Sequence, residues 1–335
     1  MNHTPPKLSI GARQTSTALD EGYGWRAAEG RRNMSLIRKF KKLIRFGQCV
    51  LTRPKTTFHV IAEMADLILN DSHALIDVVN QFQRCERAHQ FGLNYMEPGS
   101  NAELAVRENQ IEGNPLREFF DSRVTGRGIW KWEHYFGVYH QFLKKFIGQS
   151  PRLLEIGIYS GGGLDMWRAY LGAGASLLGL DIEEACRCYE QGGTRVFIGD
   201  QSDRQFWRRF KADQAPLDIV IDDGGHLAEQ QIVTFEEVFP HLRPGGVFIC
   251  EDIHGRQQGF SHYLLGLVNE MNVLGASADK RIYPTSPLQR WIKAIHVFPF
   301  VTVIEKSEQP VSELLSSKHG TEWQPFLFND AQLQA

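Results

Sequence analysis

From Arg152 onward, the sequence alternates short apolar runs with segments of helical periodicity. The runs are RLLEIGI, SLLGLDI, TRVFIGD, LDIVIDD and GVFICED, and each has an acidic residue or a glycine at or near its end. Strands that alternate with helices predict a parallel sheet covered by helices on both faces. This alternation constrains the fold more than any other feature of the chain, and it predicts an α/β protein.

Two further apolar runs, KAIHVF and VTVIEK, follow the helical stretch FSHYLLGLVNEMNVLG. Strands so close together in the chain can pair only as an antiparallel hairpin. The prediction is a Rossmann-like sheet of about seven strands, parallel except for one antiparallel strand near the edge. We assign this domain to residues 111–306 and a C-terminal tail to residues 307–335.

The N-terminal part of the chain has a different pattern. Residues 1–30 are rich in Gly, Thr, Ser and Pro and are expected to be disordered. Residues 31–110 are expected to form a helical extension that mediates self-association into a homo-oligomer. Its basic amphipathic segment, 31–55, is favoured as a surface helix. Peripheral contact of this segment with an anionic membrane stays open, as does a natural start at Met34.

An aromatic stretch, GRGIWKWEHYFGVYHQFLKKFIG, precedes the first run of the sheet. Its spacing predicts a helix that lies over the entrance to the sheet domain. Core packing is the favoured role of these rings, and covering a ligand is the alternative. The aromatic residues are Trp130, Trp132, Tyr135, Phe136 and Tyr139.

Composition narrows the cellular setting and the class of partner. The formal net charge of −2 gives no reason to expect a nucleic-acid partner. The five cysteines are odd in number and scattered, which favours a reducing compartment. No secretory signal is visible, and no apolar run reaches the roughly 18 residues of a membrane span. We therefore expect a cytoplasmic protein.

A glycine-rich loop, EIGIYSGGGLDMW, joins the first predicted strand to the following helix. In open α/β sheets, ligands bind outside the carboxyl ends of the strands, and glycines let the backbone approach them. Asp181, at the end of the second strand, is placed to accept hydrogen bonds from ribose hydroxyls. Asp200, at the end of the third strand, lies where an adenine ring would sit. The loop therefore predicts a nucleoside site.

The nucleoside belongs either to a dinucleotide or to S-adenosylmethionine. A dinucleotide site requires GxGxxG, whereas this loop has GxxxGGG. Glu155 places a negative charge where a pyrophosphate would approach, and a carboxylate suits a sulfonium and an amino group better. S-adenosylmethionine is therefore favoured, with helix capping by these acids as the alternative. The predicted contacts are Glu155, Gly157, Tyr159, Gly161, Asp181, Asp200 and Gln201.

Acidic residues also follow the fourth and fifth predicted strands. Asp222 and Asp223 close one run, with His226 just beyond, and Glu251 and Asp252 close the next. Because these strands are expected side by side, one carboxylate of each pair, or both of the second, converge on one point. Clustered carboxylates repel one another unless a cation neutralises them. Hard oxygen ligands favour Mg²⁺ or Mn²⁺.

Each member of this cluster also has a simpler interpretation. Asp223 is a candidate N-cap for the next helix, His226 a loop histidine, and Glu251 and Asp252 surface or cofactor-side acids. Their joint occurrence at adjacent strand ends favours the metal site.

The motifs LLEIG, GLDI, GDQSD, IDDGGH and LRPGGVFICEDI together resemble the class I S-adenosylmethionine-dependent methyltransferases. More narrowly, the stretch from GIWKWEHYF to VTVIEK is similar to the metal-dependent sugar O-methyltransferases of macrolide biosynthesis, the mycinamicin and macrocin types. The resemblance implies that Asp223, Glu251 and Asp252 are metal ligands and that His226 is the catalytic base. Asp222 then faces the cofactor or supports the loop.

The activity implied by the resemblance is methylation of a hydroxyl on a sugar or a glycosylated secondary metabolite. Two neighbouring acceptor oxygens would bind the metal, and His226 would take the proton from the attacking one. His254 is a second candidate for the base, and Gly225 stands where the resembled family often has serine.

Other hypotheses stay open. They are a catalytically idle cofactor-binding protein, a membrane-surface accessory protein, and a methyltransferase for lipid-linked or surface glycans. An iron-dependent hydroxylase fits poorly, since one histidine stands among three acids.

Overall fold

The protein, described by a computed structural model, divides into two compact units, 1–101 and 102–335. Within the first unit the structure describes one helix, α1 (Ser72–Asn94). Over the whole chain, the described residues are 72–94, 113–255, 258–278 and 281–320.

Several predictions concern residues outside these ranges. They are the disordered segment 1–30, the basic segment 31–55, a start at Met34 and the domain boundary near residue 110. Among the described helices, none combines the length and the apolar character that crossing a membrane requires.

Seven strands of the second unit form one sheet. In chain order the strands of this unit are β1 (Arg152–Ile156), β2 (Ser176–Asp181), β3 (Thr194–Ile198), β4 (Leu217–Asp222), β5 (Leu242–Cys250), β6 (Ile282–Pro284), β7 (Ile292–Phe298), β8 (Val301–Lys306) and β9 (Glu313–Leu315). The sheet order is β3-β2-β1-β4-β5-β8-β7, and β6 pairs with β9 in a separate ribbon. Strand β8 runs antiparallel to both of its neighbours. The predicted α/β class, the strand number and the single antiparallel strand near the edge are confirmed.

Two helices of this unit precede β1, and the others lie between strands, as the alternation predicts. They are α2 (Pro115–Ser122), α3 (Tyr135–Leu143), α4 (Gly162–Leu171), α5 (Arg204–Asp213), α6 (Ala228–Val238), α7 (Gly259–Met271) and α8 (Pro287–Trp291). The stretch around EACRCYEQ forms a 3₁₀-helix, Glu184–Tyr189.

Both faces of the sheet are buried. On β1, Leu153 packs into the cluster that contains Trp167 of α4, while Leu154 packs into the cluster that contains Trp207 of α5. Successive strand residues point to opposite faces, so a strand covered on both sides must be apolar at nearly every position. This explains why the runs in the sequence are continuous rather than alternating.

The prediction of a helix through the whole aromatic stretch is wrong at its start. Helix α3 begins at Tyr135, so Trp130 and Trp132 precede it. Lys131 and Trp132 hydrogen-bond carboxylates at the ends of β4 and β5, and a helical path would withdraw them from those partners. The core role is confirmed for the rings inside the helix, including Tyr135 and Tyr139, which are buried.

Candidate active site

The carboxyl ends of β1 to β5 open into a cavity of about 830 Å³. Most of the residues predicted to contact a cofactor or a metal line this one space. Those residues are Glu155, Gly157, Tyr159, Asp181, Asp200, Gln201, Asp223, His226, Glu251 and Asp252. Gly161 lies in the loop after β1 and Asp222 is the last residue of β4, but neither lines the cavity.

Glu155, at the end of β1, is a buried carboxylate with one oxygen left unsatisfied. Its Oε1 accepts a hydrogen bond from Trp167 Nε1 at 2.9 Å, and its Oε2 has no partner among the described residues. Burial raises the pKa of Glu155 to about 7, against the opposing charge of Lys131. A Cβ at Gly163 would lie 2.4 Å from Oε1. The glycine at position 163, in the first turn of the helix, therefore leaves room for the carboxylate, and the free oxygen suits a cationic group.

Asp181 holds the glycine loop through hydrogen bonds to its backbone. Its Oδ2 accepts the backbone N–H groups of Ile158 and Tyr159 at 3.0 and 3.1 Å. Gly157 has φ +80°, and a Cβ there would lie 2.0 Å from the backbone oxygen of Asp223. Only glycine fits this contact. The loop after β1 is thereby locked against the loop after β4, which brings the nucleoside side of the cavity next to the acids.

Asp222 supports the loop, which is one of the two roles predicted for it. The Gln201 amide nitrogen donates to Asp222 Oδ1 at 2.9 Å, and the Gln201 amide oxygen accepts the backbone N–H of Gly225 at 2.8 Å. Burial raises the pKa of Asp222 to about 7, although the hydrogen bond from Gln201 opposes the shift. Asp200 Oδ1 accepts the backbone N–H of Ser202 at 2.7 Å. Asp222 thus holds Gln201, and Gln201 holds the histidine-bearing loop.

Packing explains two of the other glycines. Gly161 has φ +74°, and a Cβ there would lie 2.8 Å from the ring of Tyr189. At Gly225, a Cβ would lie 2.2 Å from the amide oxygen of Gln230. That atom ends a flexible side chain, so a serine would require only a shift of Gln230. The departure from the resembled family at Gly225 removes no carboxylate from the site.

Asp223, His226 and Asp252 converge on the open side of the acid cluster. His226 Nε2 lies 3.9 Å from Asp223 Oδ1 and 3.7 Å from Asp252 Oδ2. One donor atom from each of the three lies within 4.8 Å of the others. His226 and Asp252 have φ of +56° and +55°, a backbone conformation uncommon for residues with side chains. Strained backbone of this kind is typical of functional sites.

Glu251 lies on the inner side of the same cluster. Its Oε1 accepts the Tyr139 hydroxyl at 2.5 Å, and its Oε2 accepts Lys131 Nζ at 2.9 Å. Lys131 Nζ also donates to Asp223 Oδ2 at 2.5 Å. Burial alone would lower the pKa of Lys131, but Glu251, Asp223 and Glu155 raise it above its ordinary value. Burial raises the pKa of Glu251, which Lys131 opposes. Of the three predicted metal ligands, Asp252 faces the histidine and Glu251 faces the lysine. Asp223 has Oδ1 on the side of the histidine and Oδ2 on the side of the lysine.

Aromatic side chains hold Asp252 in place. Trp132 Nε1 and the Tyr135 hydroxyl donate to Asp252 Oδ1 at 3.0 and 2.9 Å. Asp252 Oδ2 remains on the side of His226. His254, the second candidate for the base, lines the same cavity, and its Nε2 lies 3.6 Å from Asp252 Oδ1.

The contacts of Lys131 with the acids were not predicted from the sequence, and for Trp132, Tyr135 and Tyr139 covering a ligand was only the alternative to core packing. The signal that could have found them is the WKWEHY pattern, because a lysine flanked by tryptophans is unusual in a stretch assigned to core packing. The simple alternative for Asp223 is wrong, since the N-cap of α6 is Leu227.

The sequence of this chain is similar to those of known methyltransferases. Residues 154–253 match the family described as "Methyltransferase domain". The chain is 38% identical over 122 residues to demethylmacrocin O-methyltransferase of Streptomyces fradiae, covering 34% of the chain and 30% of that enzyme. It is 32% identical over 191 residues to mycinamicin VI 2''-O-methyltransferase of Micromonospora griseorubida, covering 50% and 47%. The chain therefore spans less than half the length of these relatives.

Among solved structures, the mycinamycin-pathway methyltransferase MycE in complex with Mg and SAH is similar, with a TM-score of 0.48 and 26% identity. The match covers 58% of this chain and 54% of MycE. The sequence matches confirm the resemblance to class I methyltransferases and to the sugar O-methyltransferases of macrolide pathways.

Proposed function

We propose that the protein is an S-adenosylmethionine-dependent O-methyltransferase that uses a divalent metal and acts on a hydroxyl of a sugar or a glycosylated secondary metabolite. One observation carries the proposal. Asp223, Asp252 and His226 converge in the same cavity that holds the unsatisfied carboxylate oxygen of Glu155. The two relatives named above, of which the chain covers 30% and 47%, are O-methyltransferases by name. Self-association and membrane contact through 31–55 remain separate proposals.

The donor set suits a hard divalent cation. Asp223 Oδ1 and Asp252 Oδ2 are carboxylate oxygens on the open side of the cluster, which is the chemistry that Mg²⁺ and Mn²⁺ prefer. Glu251 is the third proposed ligand, and this role requires Oε2 to be shared with Lys131 or released by it. When bound, such a cation acts as a Lewis acid that favours the ionised form of an acceptor hydroxyl.

The opposite side of the cavity suits the cofactor. Glu155 Oε2 offers a negative charge for the amino group or the sulfonium. Asp181, Asp200 and Gln201 line the part of the cavity where the nucleoside would lie. Asp181 already binds two backbone N–H groups through Oδ2, so its predicted contact with ribose hydroxyls would add to a role in loop support.

The chain itself supplies a base, His226, and a fixed carboxylate, Asp252, beside the acceptor. His226 Nε2 takes the proton of the attacking hydroxyl. Trp132 and Tyr135 fix Asp252, so the acceptor meets a preorganised carboxylate edge. Trp130 lines the cavity and is 86% exposed. Its indole face is available to an apolar ring face of a glycoside.

A methyl-transfer assay tests the proposal. The protein is incubated with S-adenosylmethionine, Mg²⁺ and a panel of macrolide and polyketide glycosides whose sugars carry neighbouring free hydroxyls. We expect a product heavier by one CH₂ and one S-adenosylhomocysteine for each methyl group transferred. EDTA should abolish turnover and excess Mg²⁺ should restore it.

The matched control is the same glycoside with one of the two neighbouring hydroxyls removed, which should react far more slowly. Equal turnover with and without metal would contradict the metal-assisted mechanism. Absence of a methylated product across the panel would favour the idle cofactor-binding hypothesis.

A second prediction concerns pH and the cofactor. Because the pKa of Glu155 is raised to about 7 in the free protein, a proton competes with the cationic cofactor for this carboxylate. The affinity for S-adenosylmethionine should therefore rise with pH, by about eightfold between pH 6 and pH 7.5. Glu155→Gln carries no titratable proton, so its affinity should be weaker at pH 7.5 and nearly independent of pH. Calorimetric titration at several pH values measures both effects.

Glu229→Gln is the control for that experiment, since Glu229 is an exposed residue in the first turn of α6. It should keep the pH dependence of the unaltered protein. An unchanged pH dependence in Glu155→Gln would show that Glu155 does not face the cofactor.

A further inference from the structure

Lys131 is a cation built into the acid cluster. Its side chain is 4% exposed, and its Nζ lies 2.5 Å from Asp223 Oδ2 and 2.9 Å from Glu251 Oε2. It comes from the segment before α3, and its two partners follow β4 and β5, so the contacts join parts of the chain that are 92 and 120 residues apart. A buried ammonium is rare unless paired, and here both partners are proposed metal ligands.

The charges around Lys131 show what it balances. Glu251, Asp223 and Glu155 attract it, and Tyr139 occupies the other oxygen of Glu251. Asp252 and His226 stand on the open side of the cluster. Four carboxylates thus surround the cluster, and Lys131 offsets one of their negative charges.

We infer that Lys131 is a resident counter-ion that competes with the divalent metal for Asp223 and Glu251, and thereby weakens metal binding. It also keeps the two carboxylates in place while no metal is bound. This inference rests on the metal site of the proposed function, and it adds a residue that sets the affinity of that site.

The competition follows from shared oxygens and from charge. Lys131 holds one oxygen of Asp223 and one of Glu251, so a metal that uses these carboxylates must share the oxygens or displace the ammonium. A positive charge beside the site also opposes an incoming dication. Affinity for hard cations in proteins depends on the net charge of the ligands. Removing the lysine charge should therefore tighten the binding of metal.

The experiment measures the dissociation constant for Mn²⁺ and for Mg²⁺ by calorimetry on the full chain. Lys131→Met keeps the length of the side chain and removes the charge, and it should bind either ion about tenfold more tightly than the unaltered protein. Without metal, its thermal unfolding midpoint should be lower, because Glu251 and Asp223 lose their counter-ion. Excess Mg²⁺ should raise that midpoint more than it does in the unaltered protein.

Lys145→Met is the matched control. Lys145 pairs with Glu305 and donates to the backbone oxygen of Gly245. Gly245 lies near the start of β5, and the acids follow its other end. The same substitution there should leave the metal dissociation constant unchanged. Lys131→Gln, which keeps a hydrogen-bond donor without the charge, is the second variant if Lys131→Met is poorly folded, and it should also bind metal more tightly.

The outcomes separate this inference from the proposed function. Unchanged or weaker metal binding in folded Lys131 variants, with clear binding by the unaltered protein, overturns the inference alone. Binding by neither protein overturns both the inference and the metal site. Failure of both variants to fold even in excess Mg²⁺ also overturns the inference, since a metal then cannot replace the lysine charge.

Discussion

Replacing His226 with asparagine is expected to lower the rate of methyl transfer by about 10² to 10⁴-fold, the usual contribution of a general base. Asparagine cannot take a proton from the acceptor, yet it tolerates the positive φ of this position better than most residues do. The loop is therefore expected to keep its path, held by the hydrogen bond from Gly225 to Gln201. Binding of S-adenosylmethionine should change little, because Glu155 is unaltered.

Single-turnover kinetics with saturating cofactor and Mg²⁺ measures this loss. The control is His296→Asn, because His296 lies on the outer strand β7, hydrogen-bonds Glu305 of β8 and does not line the cavity. It should keep most of the activity. A large loss in His254→Asn together with a small loss in His226→Asn would contradict the assignment and transfer the role of base to His254.

Replacing Asp252 with asparagine is expected to weaken metal binding by about 100-fold or more, with a comparable loss of turnover at limiting Mg²⁺. The amide oxygen can still accept Trp132 Nε1 and the Tyr135 hydroxyl. The amide nitrogen then faces His226 in place of Oδ2, and it is neutral and cannot coordinate a cation. The substitution therefore removes the ligand while it preserves the contacts that position the residue.

Metal titration followed by calorimetry measures this effect, and the matched control is Asp218→Asn. Asp218 lies near the start of β4, where it accepts the backbone N–H of Arg152 and pairs with Arg243, far from the carboxyl edge. Its substitution should lower stability without a change in metal affinity. Metal binding by Asp252→Asn that equals that of the unaltered protein would remove Asp252 from the ligand set.

The sequence was sufficient to predict the sheet and the position of the acids. Continuous apolar runs such as LDIVI arise because both faces of the strand are buried, and parallel strands bring their carboxyl ends to one edge. Asp223 and Asp252 therefore had to lie near one another once β4 and β5 were neighbours. The glycine at position 157 was predicted from the loop pattern, although the backbone oxygen that requires it belongs to the loop after β4.

The contacts of Glu251 with Lys131 and Tyr139 could not be predicted from the order of strands. Glu251 and Asp252 follow the last residue of β5, where strand alternation no longer decides which way a side chain points. The partners of Glu251 come from a segment more than 100 residues earlier in the chain. Local spacing says nothing about contacts at that separation. The same contacts explain why the helix prediction was wrong around Trp130 and Trp132, since tertiary partners override local propensity.

The central claim is that acids at the ends of two neighbouring strands hold a divalent cation beside His226. Crystals soaked with Mn²⁺ and S-adenosylhomocysteine, measured at the manganese absorption edge, test it most directly. We expect one anomalous peak within bonding distance of Asp223 Oδ1 and Asp252 Oδ2, lost in crystals of Asp252→Asn. A well-ordered cavity with bound S-adenosylhomocysteine and no peak at these oxygens would contradict the claim.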